Sequence, residues 1–86
     1  MKINFSKGFV KQHKKLSAKI QGKVDEHIAL FARDPAARKL RNHALTGEWS
    51  GYQSISAGGD LRLHFRVIDD TTVLFVAVGS HSQLYK

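Results

Sequence analysis

The sequence predicts an α+β domain in which two N-terminal helices pack on one face of a four-stranded antiparallel sheet. Apolar residues recur at helical spacing between Phe9 and Phe31, whereas beyond Leu40 the pattern changes to the alternation typical of strands. Turn-forming Gly and Asp residues separate the later runs. Helices and strands are therefore segregated along the chain, which favours α+β over α/β. The 86 residues suffice for one domain, residues 1–86, and not for two.

The N-terminal half contains a short strand and two helices. Lys2–Phe5 alternates polar and apolar residues, which predicts the first strand. Ser17 is a candidate N-cap for the second helix, and whether it divides one long helix into two remains open from the pattern alone. The residues near helical spacing in the first helix are Phe9, Val10, His13, Leu16 and Ile20, and the apolar stripe of the second comprises Ile20, Val24, Ile28 and Phe31.

A further helical turn is predicted between the helices and the sheet. Asp34 is followed directly by Pro35, and Pro is favoured at the first position of a helix because it has no N–H to lose there. We therefore expect Asp34 to be the N-cap of a short turn that runs through Leu40.

The C-terminal half predicts a three-strand antiparallel meander, which completes the sheet with the N-terminal strand. The extended segments are residues 49–56, 61–67 and 73–78, of which the last is an unbroken apolar run and is expected to be central. Residues 57–60 (AGGD) and 69–71 (DDT) provide the two connecting turns.

Composition excludes several classes of protein. The chain has no cysteine, which excludes disulfides and thiolate metal sites. No apolar run reaches the roughly 18 residues of a membrane span, and residues 1–15 lack the apolar region of a signal peptide. We expect a soluble cytoplasmic protein with no membrane partner.

Positive charge is concentrated in the N-terminal half. Residues 1–41 contain eleven Lys and Arg against three acids, whereas residues 42–86 contain three against four. Such asymmetry predicts a basic surface for nucleic acid or for an acidic protein. The alternative is that helical lysines only keep a small protein soluble.

The strand over residues 61–67 predicts an anion-binding face. Alternation places Arg62, His64 and Arg66 on one side and apolar residues on the other. Guanidinium groups bind phosphate well because they donate a planar fork of hydrogen bonds. An ordinary solvated face, with these charges paired to Asp or Glu, explains the pattern equally well.

His43 and His81 are candidates for acid–base catalysis because both are expected in loops at the ends of elements. Imidazole exchanges protons near neutral pH, although a single loop histidine is often only a surface residue. No zinc site is expected, because the chain has no His-x-x-x-His or Glu-x-x-His pair. Serine-nucleophile and phosphate-loop glycine motifs are also absent from the sequence.

Three C-terminal segments resemble the YafQ branch of the RelE/ParE toxin superfamily. His43–Tyr52 has the pattern His-x-Leu-x-Gly-x-Trp-x-Gly-Tyr, and Gly79–Tyr85 has the pattern Gly-[Ser/Thr]-His-x-x-Leu-[Phe/Tyr]. The segment Gly59–Leu63 lies between them in register. The resemblance covers roughly residues 40–86, and the N-terminal half agrees in its layout.

The resemblance implies a RelE-like fold and a ribosome-dependent mRNA endoribonuclease, the toxin of a type II toxin–antitoxin pair. It implies a metal-free reaction without a cofactor, in which a ribose 2′-hydroxyl attacks the adjacent phosphate. The implied partners are the ribosome, mRNA and a cognate antitoxin, which we expect to be acidic and partly disordered because this chain has a net charge of +7.

The resemblance also assigns roles to individual residues. His43, Asp60, His81 and Tyr85 match catalytic or substrate-orienting positions, with His81 expected as the general acid and His43 or Asp60 as the base or its orienting partner. Arg62 matches a position of phosphate-binding or structural arginine. Tyr85 is expected to stack on a base or orient the scissile nucleotide.

Ser56 departs from the family pattern, because it occupies a position where YafQ-type enzymes have a further histidine. His64 is a poor geometric replacement, since it is expected within a strand. Two other functions stay open. One is a ParE-like inhibitor of DNA gyrase, which the combination of His43, Asp60 and His81 disfavours. The other is an inactive toxin that only binds its antitoxin.

Overall fold

The computed structural model describes residues 1–85, in which the predicted elements occur in order and one strand and one short helix are added. Strand β1 and two helices are followed by four further strands, with a short third helix at the end of the chain. The elements are β1 (Lys2–Phe5), α1 (Lys7–Lys14), α2 (Ala18–Arg33), a first 3₁₀ turn (Arg38–Leu40), β2 (His43–Ala44), a second 3₁₀ turn (Gly47–Trp49), β3 (Gln53–Ser56), β4 (Leu61–Asp69), β5 (Thr72–Ser80) and α3 (His81–Leu84).

Serine residues cap the N-termini of the two longer helices, α1 and α2. The Ser6 hydroxyl accepts a hydrogen bond from the main-chain N–H of Phe9 (3.0 Å). The Ser17 hydroxyl accepts one from the N–H of Ile20 (3.3 Å). Each cap satisfies one of the donors that the first turn of a helix leaves without a partner. Ser17 therefore begins a separate second helix.

The sheet differs from the prediction of four antiparallel strands. It has five strands in the order β1-β5-β4-β3-β2, and β1 pairs with β5 in parallel. The alternation of Lys2–Phe5 correctly predicted a strand but carries no information about its direction. The connection from β1 to β5 runs through both helices and strands β2 to β4, and it is long enough to bring a parallel neighbour beside β1. The extra strand, β2, has two residues and is too short to show a period.

Two local predictions were wrong. Asp34 does not cap a new helix but ends α2, where its N–H donates to the Leu30 carbonyl (2.8 Å). The 3₁₀ turn begins only at Arg38, after Ala37. Within the segment predicted as extended from Trp49 to Ser56, only Gln53–Ser56 is a strand.

The core lies between α2 and one face of the sheet. Phe31 of α2 packs edge-on against Phe65 (ring centroids 4.9 Å apart) and Phe75 (5.4 Å). Val24 of α2 and Leu63 of β4 are also fully buried in this layer. The predicted apolar stripe of α2 is thus confirmed, and the side chains of β4 that alternate with Leu63 and Phe65 point to the opposite face.

The opposite face of the sheet is partly covered by the C-terminal segment. The indole N–H of Trp49 donates to the Leu84 carbonyl (3.1 Å), which holds the end of α3 against the sheet. No helix within residues 1–85 has the length and apolarity needed to cross a membrane.

Candidate active site

A cleft of about 450 Å³ lies at one end of the sheet, beside α3. Its side chains come from the loop before β2, from β2 to β4, and from the C-terminal segment. The lining residues are Arg41, His43, Ser56, Arg62, His81 and Tyr85.

One wall of the cleft is built by Arg41 and His43. Arg41 has a left-handed backbone (φ 52°), which is uncommon outside glycine and costs roughly 1–2 kcal/mol. The Nδ1 atom of His43 lies 2.9 Å from the Arg41 carbonyl oxygen. Because a carbonyl only accepts, Nδ1 carries the proton in this bond, and the lone pair of the neutral ring lies on Nε2. The strained turn thus fixes the His43 ring and its tautomer.

The Arg62 side chain lines the cleft next to Ser56. Its Nη1 donates to the carbonyls of Gly59 (2.8 Å) and Leu61 (3.0 Å) and to the Ser56 hydroxyl (3.3 Å). These bonds all use Nη1, so Nε and Nη2 are available to a ligand. Within residues 1–85 the one ion pair is His13–Asp25, so the positive charge of Arg62 has no carboxylate partner there.

His81 is the first residue of α3 and is held by the backbone of the β3–β4 turn. Its main-chain N–H donates to the Asp60 carbonyl (3.0 Å). Ser80 and Gln83 form a reciprocal capping box at the same helix start. The His81 ring lies 4.5 Å, centroid to centroid, from the ring of Tyr85.

Gly79 leaves room for this capping box. A Cβ atom at position 79 would lie 2.9 Å from Oε1 of Gln83, the atom that accepts from the Ser80 N–H (2.8 Å). A larger residue would therefore push Gln83 away and disturb the start of α3. The glycine of the closing motif thus has a packing role beside His81.

His64 lies beneath the cleft and corrects one prediction. Its side chain is fully buried, and neither ring nitrogen has a hydrogen-bond partner among the described residues. The Trp49 ring packs edge-on against the His64 ring, with centroids 4.4 Å apart, and the centroid of the Tyr85 ring lies 5.3 Å from that of His64. Burial, with smaller contributions from the charges of His43 and His81, lowers the pKa of His64 from 6.5 to about 4. His64 is therefore neutral at pH 7 and is not part of an exposed anion-binding face.

Some of the other candidate residues line the cleft and some do not. Among the six that line the cleft are His43, Arg62, His81 and Tyr85. Asp60 is exposed and does not line it, although its carbonyl holds His81. Arg66 is exposed farther along β4, outside the cleft lining. Of the three residues in the row predicted along β4, only Arg62 lines the cleft, because His64 is buried and Arg66 lies outside the lining.

Sequence reasoning missed Arg41, for which only its charge and its place two residues before His43 gave any signal. Ser56 was identified from the sequence only as a departure from the family pattern. In the structure Ser56 lines the cleft, and its hydroxyl accepts a hydrogen bond from Arg62. Residues 1–85 contain no group of three or more His, Asp or Glu side chains arranged to hold a metal ion.

Comparison with known proteins gives consistent matches along the whole chain. Residues 1–86 match the family model described as a bacterial toxin of type II toxin–antitoxin system, YafQ. A protein of Haemophilus influenzae assigned as toxin YafQ is 34% identical over 92 residues, which cover 96% of this chain and 90% of that protein.

Solved structures have the same fold. The crystal structure of YafQ from Escherichia coli superimposes with a TM-score of 0.82 at 22% identity, covering 98% of this chain and 97% of that one. The RelBE2 toxin–antitoxin complex of Mycobacterium tuberculosis matches with a TM-score of 0.75 at 28% identity, covering 93% and 96%. The E. coli DinJ–YafQ complex matches with a TM-score of 0.79 at 23% identity, covering 98% and 96%.

Proposed function

This chain belongs to the YafQ family of type II toxin–antitoxin toxins, and we propose that it is a ribosome-dependent mRNA endoribonuclease. One observation carries the proposal: two imidazoles, from His43 and His81, line one cleft together with the guanidiniums of Arg41 and Arg62. A base, an acid and cations are the groups that phosphodiester cleavage by an internal hydroxyl requires.

His43 acts as the general base in the proposed reaction. The bond from its Nδ1 to the Arg41 carbonyl leaves the Nε2 lone pair to take the proton of the ribose 2′-hydroxyl. The 2′-oxygen then forms a bond to the adjacent phosphorus. Asp60 has a positioning role, because its carbonyl oxygen holds the backbone of His81 while its own side chain is outside the cleft lining.

His81 acts as the general acid. As the bond from phosphorus to the 5′-oxygen breaks, His81 gives its proton to that oxygen, which leaves a 2′,3′-cyclic phosphate and a free 5′-hydroxyl. Tyr85 lies against His81 and supplies a ring face on which a base of the mRNA stacks.

Arg41 and Arg62 stabilise the negative charge that gathers on the phosphorane. The Arg62 fork is already fixed through Nη1, so little conformational entropy is lost when the remaining donors meet the phosphate. Because these side chains supply base, acid and cations, the proposed reaction uses no metal and no cofactor.

The proposed partners are the ribosome, mRNA and a cognate antitoxin in the cytoplasm. YafQ of E. coli has been crystallised with DinJ, and the M. tuberculosis relative with its own antitoxin. A chain with a net charge of +7 fits an acidic, partly disordered antitoxin that covers the cationic cleft. The lysines of α1 contact ribosomal RNA phosphates in this proposal.

Ser56 favours a second candidate function, an inactive toxin that binds its antitoxin without cleaving mRNA. The position lines the cleft, and a hydroxyl there cannot replace an imidazole as a proton carrier. Ser56→His distinguishes the two. An inactive wild type that gains cleavage in this variant supports the second candidate, whereas an active wild type rejects it.

The test of the proposed function is a translation assay with purified ribosomes and a defined mRNA, with cut sites mapped by primer extension. Wild type, His81→Ala and His13→Ala are compared, the last as a control because His13 pairs with Asp25 away from the cleft. We expect A-site cuts from wild type and His13→Ala only, and none without ribosomes. Absence of cuts from folded wild type rejects the nuclease.

A further inference from the structure

A second cleft adjoins the candidate active site. It has a volume of about 600 Å³ and shares Arg41 and His43 with the first cleft. Its remaining walls are residues 35–38, Asn42, Ala44 and Gln53. The two clefts therefore lie on either side of the Arg41–His43 segment.

The walls of the second cleft are tied together. The Asn42 side-chain amide donates to the Pro35 carbonyl (3.2 Å), which closes the loop around the first 3₁₀ turn. The left-handed backbone of Arg41 lies inside this closed loop, between the two clefts. Such strain persists only where the surrounding structure maintains it, and it is concentrated at functional sites.

The chemistry of the second cleft suits RNA. None of its lining residues is acidic, and two of them, Arg38 and Arg41, are exposed guanidiniums. Neither takes part in the one ion pair found within residues 1–85. Gln53 adds an amide with both a donor and an acceptor, the combination that reads the edge of a base.

We propose that this second cleft binds the nucleotide next to the two that flank the scissile bond, with Arg38 contacting its phosphate and Gln53 its base edge. The assignment rests on the proposed function, because it takes the first cleft as the place of cleavage. The two nucleotides that flank the scissile bond occupy the first cleft, whereas a longer strand that passes Arg41 and His43 enters both.

The test measures binding rather than cleavage. Fluorescent oligoribonucleotides with 2′-O-methyl groups, which block the attacking hydroxyl, are titrated as a dinucleotide and a tetranucleotide. The matched variants are Arg38→Gln and Lys39→Gln. Lys39 neighbours Arg38 on the same 3₁₀ turn and is equally cationic, but it lines a separate depression with Glu26 and Arg33.

We expect wild type to bind the tetranucleotide about tenfold more tightly than the dinucleotide, because the longer strand adds one charge-assisted hydrogen bond to a phosphate. In Arg38→Gln this difference in affinity disappears. For the tetranucleotide, the plot of log affinity against log salt concentration becomes less steep by about 0.7. Lys39→Gln retains both. In NMR spectra the Gln53 side-chain amide shifts with the tetranucleotide and not with the dinucleotide.

Equal losses in both variants, affinity that does not depend on length, or no binding of either oligonucleotide overturns the assignment. Failure of the proposed nuclease is read separately, from ribosome-dependent cleavage. If tetranucleotide binding depends on Arg38 but the protein cuts no mRNA, the second cleft is supported as an RNA site. The same result rejects the proposed nuclease.

Discussion

The carbonyl oxygen of Arg41 accepts a hydrogen bond from Nδ1 of His43 at 2.9 Å, and Arg41 itself has a left-handed backbone. The two facts are connected, because this conformation turns the carbonyl toward a residue only two positions farther along the chain. The unfavourable backbone thus fixes the ring of the proposed base, and it places a guanidinium beside the same ring.

Arg41→Gly is expected to separate stability from function. Glycine adopts a positive φ without strain, so we expect the free energy of unfolding to stay within about 1 kcal/mol of wild type or to rise. Ribosome-dependent cleavage should fall at least tenfold because the guanidinium is lost. Chemical denaturation and cleavage rates measure the two effects. Lys39→Gly is the control and should lose about 1 kcal/mol of stability with unchanged cleavage. A parallel loss of stability and activity in Arg41→Gly would contradict this account.

Arg62→Ala should lower cleavage more than stability. The guanidinium faces a cleft without a carboxylate partner in the described chain, so its removal takes a cation from the phosphorane. We expect a 10²- to 10³-fold loss in rate, typical of a lost electrostatic stabiliser, and about 1 kcal/mol or less in unfolding free energy. Arg66→Ala, on the same strand but outside the cleft, is the control. Equal effects of the two substitutions on cleavage would show that only general positive charge matters.

His64 predicts a pH dependence of stability. Its pKa is about 4 in the folded protein and 6.5 in the unfolded chain, because burial disfavours the charged ring. Between these pH values the unfolded state binds a proton that the folded state does not. The free energy of unfolding should therefore decrease as the pH falls from 6.5 to 4, by up to about 3 kcal/mol from this group.

His64→Phe keeps an aromatic ring beside Trp49 and removes the titrating group. Urea denaturation at several pH values should give a flatter profile between pH 4 and 6.5 for this variant. If wild type and variant lose stability in parallel over that range, the acid sensitivity has another source.

The extent to which the sequence predicted the fold depends on the length of each element. The strands β4 and β5 have nine residues each, with Asp70 and Thr71 between them, and the pattern predicted both. β2 and α3 have two and four residues and are too short to show a period, so both were missed. The parallel pairing of β1 with β5 depends on packing across the whole chain, which alternation within Lys2–Phe5 does not encode.

The site was predicted in part for similar reasons. Short motifs identified His43 and His81, and the structure brings both to one cleft. Alternation correctly placed His64 opposite the core, but Trp49 and the C-terminal segment cover that position. Arg41 was missed because a positive φ in a residue other than glycine leaves no mark in the sequence pattern.

Trp49→Phe should weaken the site from a distance. The indole N–H donates to the Leu84 carbonyl (3.1 Å), and phenylalanine has no donor, so we expect about 1 kcal/mol lower stability. Release of the end of α3 should also reduce cleavage, because His81 and Tyr85 lie on this segment. Tyr52→Phe keeps the ring that packs on Trp49 (5.3 Å) and is the control. Thermal melts and cleavage rates should change in Trp49→Phe and remain near wild type in Tyr52→Phe.

The division of roles between His43 and His81 is the central claim, and it is tested most directly with an mRNA whose scissile 5′-oxygen is replaced by sulfur. A thiolate leaves without a proton, so this substrate needs no general acid but still needs a base. On ordinary mRNA, His43→Ala and His81→Ala should each lose 10²- to 10⁴-fold in single-turnover cleavage on the ribosome. On the sulfur substrate, His81→Ala should approach the wild-type rate while His43→Ala stays slow. Rescue of His43→Ala instead, or of neither variant, would contradict the assignment.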